Sequence, residues 1–70
     1  MTKETLISKL AQSIETREKD AAFWKADSEA RKAHGDTVAA EDSYHVWCAI
    51  VNFELPKMRK ILEDIKALEV

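Results

Sequence analysis

The chain has 70 residues, 46% of them hydrophobic and 34% charged, with 11 basic and 13 acidic side chains for a formal net charge of −2. That length allows one domain, whose core rarely yields more than about 3–5 kcal/mol unless a disulfide, a metal or a second subunit staples it. Cys48 is the only cysteine, which excludes an intrachain disulfide, and the charge balance argues against nonspecific nucleic-acid binding, where cation excess supplies the affinity.

One glycine and one proline leave little turn chemistry, so the chain is expected to be all-α. Charges interrupt the opening MTKETLISKLAQ, and no run approaches the roughly 18 apolar residues of a membrane span. A cytoplasmic location without membrane contact is the corresponding expectation. Residues 1–70 read as a single helical-hairpin domain, with helix 1 over about 3–34, a turn at 35–36 and helix 2 over about 37–68.

Thr2 is placed to cap the first helix. Leu6, Ile7, Leu10, Ile14 and Ala21 share one face, after which Ala22, Ala26, Ala30 and Ala33 shift the apolar surface around the helix. These alanines are expected to admit the large residues of the second helix, Tyr44 and Trp47 among them. Gly35 at the midpoint can take the left-handed conformation that ends a helix, and Asp36 or Thr37 can cap the next.

In the second helix Tyr44, Cys48, Val51, Leu55, Met58, Leu62 and Ile65 alternate spacings of four and three, a seam of the coiled-coil kind. The seam keeps its phase through Pro56, which predicts a helix kinked there but continuous. The alternative is a third helix with Pro56 in its first turn. Val46, Ala49, Ile50, Phe53, Ile61 and Leu68 form a second stripe roughly opposite the seam. A hairpin buries one stripe of each helix, so the second is expected to be covered by another copy, giving a homodimeric four-helix bundle with Val46, Ile50, Phe53 and Ile61 at the interface. Parallel and antiparallel docking of the two hairpins both fit this pattern.

Groups that carry chemistry are sparse. Asp42 and His45 have a spacing that could present two metal ligands, with Asp27 or Glu29 opposite, but a closed site needs three or four. Cys48 is expected on the apolar seam, which suits packing better than a reactive thiolate. No cofactor, metal or catalytic residue is therefore expected. The pairs Glu15/Lys19, Asp27/Arg31, Lys25/Glu29, Arg59/Glu63 and Lys60/Asp64 have the spacing of solvated helix-surface pairs. Arg17 departs from this pattern, since it falls on the apolar stripe where packing would favour Leu. Phe23 and Trp24 are adjacent and project about 100° apart, so one seam cannot take both. Arg17, Phe23, Trp24 and Lys25 thus form a candidate partner-binding patch of aromatic anchor and charged rim.

The glycine turn AHGDT and the apolar stretch YHVWCAIVNFELP give the whole chain a pattern that resembles two kinds of small protein. One is the plasmid copy-number hairpins of the Rop type, which dimerise into four-helix bundles and bind paired RNA hairpins. The other is the small phage-encoded host-takeover proteins, such as quorum-sensing anti-activators and inhibitors of twitching motility. The second resemblance implies a non-enzymatic inhibitor or modulator of a larger host protein, such as a transcription regulator or a motor ATPase. The first implies the alternative, RNA binding with Lys25, Arg31 and Lys32, or the segment from Lys57 to Lys60, on phosphates.

Overall fold

A computed structural model describes residues 2–68. Helix α1, Lys3–Ala33, starts where the Thr2 hydroxyl accepts a hydrogen bond from the Thr5 N–H at 3.2 Å, satisfying one of the free donors of the first turn. It ends at Gly35, whose φ of +82° is open to a residue without Cβ. The N–H groups of Gly35 and Asp36 then reach back to the carbonyls of Lys32 and Arg31, each at 3.0 Å. Those paired bonds are a Schellman closure, which reverses the chain without stranding its last carbonyls. Asp36 caps the next helix by accepting from the Ala39 N–H at 3.2 Å.

The second arm comprises α2, Thr37–Ala49, a π-helical turn, Ile50–Glu54, and α3, Leu55–Lys66. The backbone stays in the right-handed helical region through the junctions, at Ile50 and at Leu55, so no break separates the segments. Within the turn the Leu55 N–H donates to the Ile50 carbonyl, five residues back instead of four. Pro56 supplies the local reason. Its ring would press on the carbonyl of residue 52 in a regular helix, and widening the turn before it moves that carbonyl aside. The arm thereby accommodates one extra residue without ending.

That residue changes which side chains face inward. The residues turned toward α1 are Ala40, Ser43, Trp47 and Ile50, then Leu55, Met58, Leu62 and Ile65. Their spacings alternate three and four except for a single five across the π turn. The expected seam is therefore correct from Leu55 onward and one residue out of phase before it. Tyr44, expected inside, is half exposed, and Cys48 and Val51 lie at the edge of the contact. Ile50, expected on the outward stripe and at a subunit interface, is the most buried residue described, at 1% exposure. Removing its side chain from water contributes about 1.5–3 kcal/mol.

On α1 the inward positions are Ile7, Leu10, Ile14, Arg17, Ala21, Trp24 and Ser28, a regular heptad register. The apolar face does not rotate as expected. Ala22, Ala26, Ala30 and Ala33 are exposed, and the buried alanines are Ala21 and Ala40, both at 5% exposure. Ile14, Ala21, Ile50 and Leu55 form the buried cluster, with Leu10, Trp24, Trp47, Val51, Met58 and Leu62 packed against it. The result is a rod of 54 × 16 × 12 Å with a thin core. Among the described residues no helix is long and apolar enough to cross a membrane.

Candidate interaction surface

Large apolar side chains remain outside the seam along the second arm: Val46 at 37% exposure, Phe53 at 73% and Ile61 at 42%. Because Ile50 and Leu55 both point inward although five residues apart, the arm loses one residue of helical phase between them. Val46 and Ile61, fifteen positions apart, therefore behave as positions two heptads apart and lie on the same side. Phe53, within the π turn, stands between them on the outer side. Three of the four residues expected at an interface are thus accessible in the hairpin, and the fourth, Ile50, is enclosed.

The first-arm patch divides. Arg17 bridges the arms: Nη2 donates to Glu54 Oε1 at 2.7 Å and Nη1 to Asp20 Oδ2 at 3.0 Å. The Glu54 hydrogen bond, then that of Asp20, holds the guanidinium pKa above its ordinary value. An inward heptad position thus carries a cation because the widened π turn presents Glu54 opposite it. Trp24 is half-buried against the core, and Phe23 packs edge-on to it with centroids 5.3 Å apart while staying 60% exposed. Lys25 is exposed, yet its ammonium lies 5.4 Å from the Trp47 ring centroid, a cation–π contact across the arms. Arg17 reaches across to the second arm and Trp24 packs on the core, and Phe23 is the exposed apolar side chain of the patch.

A polar clasp near the turn escaped the sequence reading. Ser43, buried at 4% exposure, donates its hydroxyl to Asp27 Oδ2, which also accepts from Arg31 Nε at 2.8 Å. Ser28 Oγ donates to the Ala40 carbonyl at 2.8 Å. The Ser43 hydrogen bond, followed by that of Arg31, holds the Asp27 carboxyl below its ordinary pKa. Ser43 is legible as an inward residue only if the one-residue insertion downstream is known.

The Tyr44 hydroxyl is raised in pKa by the neighbouring Cys48 side chain, then by burial, and its ring lies 5.5 Å from that of Trp47. Among the described residues no three His, Cys, Asp or Glu side chains gather as a metal site would require. An open groove beside the turn is lined by Ser28, Lys32, Thr37, Ala40, Glu41 and Tyr44. Of the expected surface pairs, Glu15/Lys19, Asp27/Arg31 and Lys60/Asp64 form, at 3.5, 2.8 and 3.1 Å. Arg59 instead crosses to Glu18 at 3.5 Å. Comparison with protein families, with characterised proteins and with solved structures finds no match to this chain.

Proposed function

We propose that the protein is a non-enzymatic interaction module, a homodimer of hairpins forming a four-helix bundle that binds and modulates a larger regulatory protein. The observation that carries this reading is a surplus of surface. Size scaling gives a globular monomer of 8.0 kDa an accessible area of about 4,450 Å². The hairpin exposes 5282 Å². The excess of about 800 Å² equals what one partner buries in an interface of standard size. Much of the large apolar surface lies along the second arm, where nothing in the same chain can cover it.

Once that arm is covered, Phe23 on the first arm is left as the aromatic anchor for a larger protein, such as a transcription regulator or a motor ATPase. RNA binding finds less support. Arg31 is engaged by Asp27 and Asp36, Arg59 by Glu18 and Lys60 by Asp64, so cations that phosphates would need already face carboxylates.

Sedimentation equilibrium at micromolar concentration tests the first step, and a 16 kDa species is the expected result. A stable 8 kDa monomer would overturn the dimer. Affinity capture with the Phe23→Ala variant as control tests the second: the partner should be retained by the parent chain and lost by the variant, with the dimer intact. Capture that is indifferent to Phe23 would remove it from the site.

A further inference from the structure

We propose that the two copies pair antiparallel along their second arms, with Phe53 packed on the partner's Phe53 at the two-fold axis and Val46 packed on the partner's Ile61. The inference rests on the dimer reading above and adds to it a contacting face and a direction.

Spacing supplies the first argument. Val46 and Ile61 lie on one side of the arm, two heptads apart once the π turn has absorbed its extra residue. Phe53 sits seven positions after one and eight before the other. A two-fold axis at Phe53 and perpendicular to the arm maps this set onto itself in reverse, as an isologous interface requires. The apolar contact then runs for about 22 Å, fifteen residues of helical rise. Most of the 800 Å² surplus can be covered over such a length, with the 73% exposed Phe53 ring at its centre.

Charge decides the direction. Glu54, Arg59 and Lys60 are held within the hairpin by Arg17, Glu18 and Asp64. Of the other charges, positions 37–56 carry Glu41 and Asp42 and neither Lys nor Arg, and positions 57–66 carry Lys57 and Lys66 against Glu63. A parallel pair would set the acidic half against itself and the basic half against itself. An antiparallel pair sets each half against its opposite, and the helix dipoles of the two arms also oppose.

The test uses the full chain in a Cys48→Ala background with two single variants, Val46→Cys and Ile61→Cys, carrying tags of different mass. Both sites are accessible, so folding should survive, and far-UV circular dichroism checks that it does. After mixing and oxidation in a glutathione buffer, the 46–61 disulfide dimer should exceed the 46–46 and 61–61 dimers by about tenfold. A predominance of the two self-linked products would overturn the direction and leave the dimer standing. No cross-link in any combination, from protein that sediments as a dimer, would overturn the contacting face. A monomer by sedimentation would remove the dimer reading as well. The unsubstituted protein supplies a second measurement. In a mixture of isotope-labelled and unlabelled chains, filtered nuclear Overhauser spectra should connect Val46 methyls to Ile61 methyls between chains. Intermolecular contacts confined to other residues would sink the proposal.

Discussion

The two ends of the hairpin hold together by different means. Near the turn, the arms meet through small and polar side chains: Ala40 is buried on the second arm, Ser43 is tied to Asp27, and Ser28 to the Ala40 carbonyl. Toward the open end the contact is mainly aliphatic, with Leu10 and Ile14 beside Leu55, Met58 and Leu62, flanked by the Arg59–Glu18 pair and by Lys3 donating to the Leu68 carbonyl. Hydrogen bonds are directional, whereas apolar burial is not. The turn end therefore fixes register and the open end supplies area. The π turn joins two seams that a uniform helix could not bring to the same arm.

Breaking the junction should have the largest effect. Ile50→Ala deletes the most enclosed side chain, where both seams meet, and should cost about 2–5 kcal/mol in urea unfolding. Phe53→Ala, three residues on, should leave the stability of the hairpin nearly unchanged and act on self-association. Equal losses of hairpin stability from the two changes would mean that the arm is turned differently.

The turn end can be separated by pH. Asp27 has its folded pKa lowered from 3.8, so its contribution is present above the unfolded value and fades as pH falls through the folded one. Stability should decline below about pH 4 in the parent. In Ser43→Ala, which removes the largest cause of the shift, that acid limb should be shallower and the stability at neutral pH lower. An unchanged limb would show that the clasp does not hold the two arms.

If the π turn is a one-residue insertion, taking the residue out should restore a regular helix with both seams in phase. Deleting Asn52 together with Pro56→Ala should leave helicity intact and stability within about 1 kcal/mol of the parent, since the proline clash and the widened turn vanish together. Collapse of the variant would place the cause of the π turn elsewhere. At the small end, Lys19→Ala breaks a pair whose side chains are 76% and 68% exposed, and thermal unfolding should register no more than about 0.5 kcal/mol.

Much of the architecture could be read without coordinates. Gly35, Asp36 and Thr2 act locally, through their own backbone angles and side-chain reach, so the turn and both caps stand where the chain chemistry puts them. The lower seam was legible for the same reason, because Leu55, Met58, Leu62 and Ile65 follow uninterrupted helical spacing. Of the candidate surface, Val46, Phe53, Ile61 and Phe23 could be found as apolar residues left over from a seam. Arg17, singled out as a misfit, could not be matched to Glu54 from periodicity, since the two are 37 positions apart.

What sequence alone determined, then, is an all-helical chain that reverses once at Gly35 and presents more apolar surface than one partner arm can cover. Tertiary structure alone decided which face of α2 turns inward. A periodicity count advances every residue by the same angle, so one extra residue in a single turn shifts everything before it by one position and exchanges Tyr44 and Cys48 for Ser43 and Trp47. The choice between those registers is made against α1, where Asp27 accepts from Ser43 and Ile14 and Ala21 enclose Ile50, and these are contacts between residues distant in the chain.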